Sequence, residues 1–228
     1  LGGVQVTVNG RPAPLFFVSA QQINALVPFD LTEDYATFRV INNGVSSNPV
    51  TVYAGNSSPA VFTQPPDGVS SAAALHSDFS LVNSNNPARR GETILIYLTG
   101  LGTVKPAVAD GAAGPSRAPF SMITARAPFV SFSNVEGTVS FAGLAPGLAG
   151  LYQINVQVPN TANTGTQILS IDTPEALNEE ATISIGAAAP GTAENALAEN
   201  HATESGYRTR HVRKTSVTNM RSLQGGAR

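Results

Sequence analysis

Residues 22–28 read Gln-Ile-Asn-Ala-Leu-Val-Pro, and residues 153–159 read Gln-Ile-Asn-Val-Gln-Val-Pro. Gln22, Ile23, Asn24, Val27 and Pro28 return as Gln153, Ile154, Asn155, Val158 and Pro159, at an offset of 131 residues. That spacing is longer than the roughly 20–50 residues of a solenoid unit, so each copy is expected to be a domain of its own. A strand-like run precedes each copy, 15–19 and 138–142, and a pair of strand-like runs follows. The second copy is entered through a longer apolar loop, 143–150. Repetition on this scale, with strands on either side, limits the chain to tandem domains of one β architecture.

The local pattern agrees. Val4, Val6 and Val8 alternate with Gln5, Thr7 and Asn9, the two-residue period of a half-buried strand. Runs at 37–42 and 48–53 flank Asn43-Gly44, a dipeptide suited to the positive φ angles of a tight hairpin, with an irregularity expected before Asn48. Pro49 opens its run, where a missing N–H matters least. Residues 93–98 are apolar on both faces and predict a central strand; 182–185 close the series. Gly (21) and Pro (16) punctuate these runs too densely for a helical bundle, and no convincing helix is seen. The fold class expected is all-β: tandem immunoglobulin-like β-sandwiches. Val6, Val8, Ile23, Val27, Ile94, Ile96, Ile154 and Val156 are the expected core.

The boundaries expected are 1–62 for a first, truncated sandwich, 63–90 for a connecting segment, 91–189 for a second sandwich and 190–228 for a basic, disordered tail. Residues 1–189 carry 7 Lys+Arg and 12 Asp+Glu; residues 190–228 carry 6 and 3. The second copy is preceded by residues 90–102, and the first has no counterpart to them. The first sandwich is therefore expected to lack its opening strand and to expose a strand edge, with the gene continuing upstream. The tail run Tyr207–Lys214 holds four cations in seven residues. A disordered tail or a shifted reading frame explains it better than nucleic-acid binding. A short frayed helix is expected at 193–199.

Several motifs, in order, carry a family resemblance. They are Val6-Thr7-Val8-Asn9-Gly10-Arg11-Pro12-Ala13-Pro14-Leu15, both Gln-Ile-Asn motifs, Asn43-Gly44-Val45-Ser46-Ser47-Asn48-Pro49-Val50 and Tyr97-Leu98-Thr99-Gly100-Leu101-Gly102. The stretches 72–91 and 141–153 agree with them. Together they resemble the uncharacterised C-terminal domain family abundant in acidobacterial (Solibacter-type) secreted proteins. Each repeat also resembles an IPT/TIG immunoglobulin-like domain. The resemblance covers about residues 1–188; the tail and the missing first strand depart from it. It implies sandwiches appended to larger exported proteins, at the cell surface or secreted, with a signal peptide upstream and no known catalytic residues.

Signals for chemistry are sparse. Without Cys there is no disulfide framework, thiolate zinc site or cysteine nucleophile. His76, His201 and His211 are too scattered for a metal cluster, and no run approaches the ~20 apolar residues of a membrane helix. No nucleophile elbow, zinc-protease motif or phosphate loop occurs. Gly100-Leu101-Gly102 reads as a strand-end turn. His76, Ser77 and Asp78 invite a triad, but neighbours in a strand point to opposite faces. Asp78, Asn83, Asn85 and Asn86 offer oxygens to calcium, yet serve equally as turn formers, the reading preferred here. Asn56-Ser57-Ser58 fits the glycosylation pattern and is read as a loop.

No cofactor and no catalytic, metal or nucleic-acid site is expected, and the repeat-motif residues are read as structural. The function expected is a non-catalytic spacer or adhesion module of a larger exported bacterial protein, with the upstream domains of the same polypeptide as partners. The alternative is a carbohydrate-binding module. Tyr35, Tyr53, Tyr97 and Tyr152 are its candidate stacking residues, with polysaccharide or another surface protein as partner. Phe16, Phe17, Phe38 and Phe141 are read as core-directed. The loop 143–151 is either an exposed contact surface or a buried inter-domain loop.

Overall fold

A computed structural model describes residues 2–188, and every regular element among them is a strand. The expectations for 190–228, including the basic run, the short helix, His201 and His211, fall outside the described residues. The first seven strands are β1 (Val4–Val8), β2 (Arg11–Ala13), β3 (Leu15–Val18), β4 (Ile23–Ala25), β5 (Tyr35–Asn42), β6 (Val45–Ser46) and β7 (Val50–Tyr53). Eight follow ahead of the second repeat: β8 (Ala60–Val61), β9 (Thr63–Gln64), β10 (Ser71–Ala72), β11 (Ala74–Leu75), β12 (Ala88–Arg89), β13 (Thr93–Thr99), β14 (Val104–Lys105) and β15 (Met122–Ile123). The last seven are β16 (Phe129–Phe132), β17 (Val135–Glu136), β18 (Thr138–Leu144), β19 (Tyr152–Gln157), β20 (Gly165–Asp172), β21 (Leu177–Asn178) and β22 (Thr182–Gly186).

The last seven strands repeat the first seven in detail. Asn9 and Gly10 turn β1 into β2 with positive φ at both positions, and Ser133 and Asn134 do the same between β16 and β17, the geometry of a two-residue hairpin. In the first hairpin Asn9 Oδ1 accepts from the Thr37 N–H (2.7 Å); in the second Ser133 Oγ accepts from the Ile168 N–H (3.0 Å). β3 pairs with β4 across a bulge at Phe16, and β18 pairs with β19 across a bulge at Ser140. Phe17 then faces Asn24 as Phe141 faces Asn155. The repeated glutamine and asparagine bond each other in both copies, Gln22 Nε2 to Asn24 Oδ1 and Gln153 Nε2 to Asn155 Oδ1, each at 2.6 Å.

The copies differ in what surrounds them. In the second, β17, β16, β20 and β22 continue into β10 and β9, with β12 also on β22. The opposing sheet runs β11-β13-β19-β18-β15-β14. Residues 60–89 thus supply β8 to β12 to the second sandwich. The two sheets enclose Ile94, Ile96, Leu98, Phe132, Ile154, Val156, Leu169, Ile171, Ile183 and Ile185. β13 buries Ile94, Ile96 and Leu98 while Leu95 and Tyr97 stay half-buried, so only one of its faces is fully covered. In the first copy, β2-β1-β5 with β6 and β7 faces, among the described residues, only the two-stranded β3-β4. Its core is small: Val6, Val8, Ala13 and Ala36, with Leu15, Ile23, Leu31, Phe38 and Val40 against it.

The missing cover explains the departures from the expected core. Val27 is 43% exposed, whereas its repeat Val158 is fully buried. Phe16 and Phe17, read as core, are each about half exposed; Phe16 occupies the bulge and lies by Gly150 of the second sandwich. Phe38 is packed as expected, and the half-buried Phe141 meets Phe120 edge-to-face at 6.1 Å.

The Asn43-Gly44 hairpin forms as expected between β5 and β6. The expected irregularity is Ser47, whose N–H and Oγ both bond Val40 before the chain rejoins β5 as β7. Between β9 and β10, Asp67 ties the loop by accepting from the N–H groups of Val69 (3.0 Å) and Ser70 (2.9 Å) and from the Ser70 hydroxyl.

Two predictions follow from this packing. Ile154→Ala is expected to cost about 2–5 kcal/mol, the usual range for a fully enclosed aliphatic side chain. Ile23→Ala, at the matched but half-covered position, should cost less than half of that in urea denaturation. The hydrogen bond from the Ser70 side chain, then those from the backbone, hold the Asp67 carboxyl down at about 2. A depressed carboxyl stabilises the fold above its unfolded value near 3.8, and that contribution is lost as pH falls toward 2. NMR titration should therefore place the Asp67 midpoint at about 2, well below the ordinary aspartate value of 3.8. Loop amides 67–70 should begin faster exchange only between about pH 4 and pH 2.

Candidate functional site

The solvent-facing side of the first sheet gathers the polar and aromatic groups that sequence alone could not place together. Cross-strand partners share a face, and β5 pairs Tyr35 with Tyr53 and Thr37 with Thr51 on β7, and Arg39 with Thr7 on β1. Tyr35 and Tyr53 are 61% and 71% exposed, with ring centroids 6.2 Å apart and planes at 85°. Beside them the Thr37 and Thr51 hydroxyls lie 2.9 Å apart, and Arg39 is exposed one step further along β5. From Tyr35 to Arg39 the strip runs about 13 Å at the usual rise per strand residue. Asn9 fixes its upper end by donating from Nδ2 to the Tyr35 carbonyl (3.0 Å). The strip is exposed and built on hydrogen-bonded strands, with apolar rings at one end and donors and acceptors at the other.

Of the four candidate tyrosines, only these two form a surface. Tyr152 is buried in the second core and donates its hydroxyl to the Gly102 carbonyl; burial pushes its phenol up to about 12. Tyr97 is half-buried, and burial likewise raises its phenol. The juxtaposition of Tyr35 with Tyr53 depends on the β5–β7 register across the Ser47 irregularity, which the residue pattern does not state.

The remaining candidates resolve into structural roles. His76 is buried, with Nε2 3.2 Å from the Asn86 carbonyl oxygen and Nδ1 2.9 Å from Glu92 Oε1, a close approach outside hydrogen-bond geometry. Asp78 accepts instead from the Ser80 N–H (2.9 Å) and hydroxyl (2.6 Å), and its carboxyl is held below the ordinary range by those bonds. No Ser–His–Asp relay is assembled there. Asn83 Oδ1 caps the N–H groups of Asn85 and Asn86, and Asn86 Nδ2 reaches Ser80 Oγ and the Leu81 carbonyl. These oxygens and amides close turns on one another. Gly100-Leu101-Gly102 is the strand-end turn expected: both glycines have positive φ, and a Cβ on Gly100 would collide with the Ser58 carbonyl. The repeat-motif residues of the second copy lie in or just beyond β19, and those of the first in or around β4. Pro28 is buried and Pro159 half-buried.

The segment joining the two sandwiches is pinned. Asn56 donates from its backbone to Glu175 Oε2 (2.6 Å) and from its side chain to Glu175 Oε1; both bonds draw the Glu175 carboxyl below its ordinary value. Ser57 Oγ meets Thr173 Oγ1 in a buried contact at 2.9 Å, and Ser58 N–H donates to the Gly100 carbonyl (2.8 Å). At a second point Asp110 Oδ1 accepts from the Phe29 N–H (2.9 Å). The loop 143–151 contributes to both of its expected readings: Gly150 lies against Leu26 and Phe16, whereas Leu148 at the tip is 49% exposed.

No family model matches the chain, and no curated protein matches it. Among solved structures it is similar to the Bacteroides ovatus mixed-linkage glucan utilization locus (MLGUL) SGBP-B, determined in complex with mixed-linkage heptasaccharide. The identity is 9% and the TM-score 0.29, over 80% of this chain and 36% of that one. The chain therefore spans about a third of the length of that protein.

The linker geometry carries its own prediction. Glu175→Ala removes both bonds and should speed amide exchange across residues 54–58 more than Asn56→Ala, which keeps the backbone bond to Oε2; the double variant should exchange like Glu175→Ala alone.

Proposed function

We propose that this chain is a non-catalytic interaction module of a larger exported bacterial protein, and that it holds polysaccharide against the Tyr35–Tyr53 strip of its first sheet. The exposed tyrosine pair is the observation that carries the reading. Tyrosine combines an apolar ring face with a hydroxyl able to donate and accept, so it suits a ligand whose surface alternates C–H patches with hydroxyls. Thr37, Thr51 and Arg39 add fixed polar groups along one line, which fits an extended chain better than a compact molecule. Export and a bacterial setting follow from the family resemblance of the sequence motifs.

A spacer role is the second reading, favoured by the pinned linker. Four hydrogen bonds from consecutive residues Asn56, Ser57 and Ser58, with the Phe29–Asp110 contact, join one sandwich to the next without a flexible hinge. The two roles are compatible: a stiff tandem presents its surface at a fixed distance from whatever it is attached to.

The experiment is affinity electrophoresis of the intact chain through gels containing soluble β-glucan, xylan, galactomannan or pectin. At least one polysaccharide should retard the protein, and Tyr35→Ala with Tyr53→Ala should abolish the retardation. Both residues lie on the surface, so the double variant should unfold within about 1 kcal/mol of the parent. Absence of retardation by every polysaccharide, or equal retardation of the variant, would leave the spacer role alone.

A further inference from the structure

The two sandwiches share a sheet of the same plan, and the outer faces of the two copies differ in a specific way. The Thr37 N–H is fixed by Asn9 Oδ1 (2.7 Å) as the Ile168 N–H is fixed by Ser133 Oγ (3.0 Å), which aligns β5 with β20 residue for residue. Carried through the cross-strand registers, Tyr35 and Tyr53 match Thr166 and Ser184, and Arg39 matches Ser170. Ser170 is buried and donates its hydroxyl to Glu179 (3.0 Å), whereas Arg39 is exposed. The second sheet forms with neither an aromatic pair nor a cation at these positions. The shared fold therefore does not require them in the first.

Charge on the first sheet is confined to two side chains. Its strands β1, β2, β5, β6 and β7 contain Arg11 and Arg39 and no acidic residue. Arg11 is neutralised by an ion pair with Asp30 (2.5 Å). Among the described residues, no hydrogen bond or ion pair engages the Arg39 guanidinium. The acids that precede β5, Glu33 and Asp34, stand beyond its tyrosine end, and Glu33 is turned onto the Thr32 N–H (3.1 Å). At physiological ionic strength charges are screened over about 8 Å, so a ligand at Arg39 meets a cation rather than the net negative charge of the whole chain. A guanidinium offers five N–H donors in a planar fork that matches the two oxygens of a carboxylate.

Resting on the polysaccharide reading of this face, we propose that Arg39 selects the ligand class: the strip takes a polyuronate, a polysaccharide whose sugar rings bear carboxylates. One ring lies against Tyr35 and Tyr53, where its C–H groups meet apolar surface. The hydroxyls of Thr37 and Thr51, 2.9 Å apart, bond the sugar hydroxyls that follow. The carboxylate of a later unit is held by the Arg39 fork. The roughly 13 Å from Tyr35 to Arg39 exceeds one sugar ring, so the stacked ring and the bound carboxylate belong to different units of one chain. A neutral polysaccharide would occupy the tyrosine end and leave the guanidinium to water, and this difference separates the two classes.

The test is isothermal titration calorimetry of the intact chain with polygalacturonate and alginate, each as its salt and as its ester, and with neutral β-glucan and dextran sulfate. At least one salt should bind about tenfold or more tightly than its ester, which keeps the sugar backbone and loses the charge. Arg39→Gln should erase that difference while keeping the parent's urea midpoint. Arg39→Lys should restore part of it, since an ammonium keeps the charge without the fork. Added NaCl should weaken the parent toward the level of Arg39→Gln and leave the variant little changed. Dextran sulfate should bind more weakly than the uronate; equal binding would show attraction to any polyanion and overturn the inference. Esters or β-glucan bound as tightly as the salts, with binding lost in Tyr35→Ala with Tyr53→Ala and unchanged in Arg39→Gln, overturn it and leave the polysaccharide reading standing. Uronate binding that survives the tyrosine double variant overturns it too. If no polymer binds, the polysaccharide reading itself fails and this inference falls with it.

Discussion

The second sandwich depends on β19 being bonded along both edges while one of its faces is sealed by the opposing sheet. A strand in that position has all its backbone donors and acceptors paired and contributes Ile154 and Val156 to a core from which water is excluded. Remove β13 and one whole row of backbone groups opens to solvent together with the aliphatic face behind it. The first copy is that situation made visible. It keeps the hairpin, the bulge, the Gln–Asn bond and the cross-strand register, and its core shrinks to a few small residues because none of the described residues stands where β13 and β12 stand in the other.

This contrast separates what maintains a strand from what merely permits it. Local chemistry suffices for the paired hairpins: Asn9-Gly10 and Asn43-Gly44 supply the left-handed turn positions, and Asn9 or Ser133 ties the turn to the neighbouring strand. Burial does not follow from those local rules. Val27 and Val158 sit in the same motif, and so do Ile23 and Ile154, yet each pair differs in exposure by what lies beyond the chain segment that carries it.

The polar side chains divide along similar lines. Most of the groups that resemble sites in sequence are consumed in holding loops: His76 between Glu92 and Asn86, Asp78 on Ser80, Asn83 on two amides, Asn56 on Glu175. A turn-rich fold needs many such caps, since its loops contain backbone groups that no ladder pairs. The strip on the first sheet, by contrast, faces outward. There two tyrosines, two threonines and an arginine line up because β5 is in register with β7 and β1, the two threonine hydroxyls bonding each other.

The residue pattern by itself determined the all-β class, the tandem repetition, the positions of the main strands and the hairpin turns. Those features follow from period-two alternation, from glycine and asparagine at left-handed positions, and from a motif repeated at a fixed offset; all are local or self-referential properties of a chain. The tertiary structure decided which apolar residues are core, turning Phe16, Phe17 and Val27 outward, because burial depends on the strand opposite and none of the described residues supplies one there. It also decided which tyrosines meet. Tyr35 and Tyr53 are eighteen residues apart and become neighbours only through strand pairing across an irregular turn, whereas Tyr152 is sealed inside. Strand register and the identity of the covering strand are relations between distant segments, and no single stretch of sequence contains them.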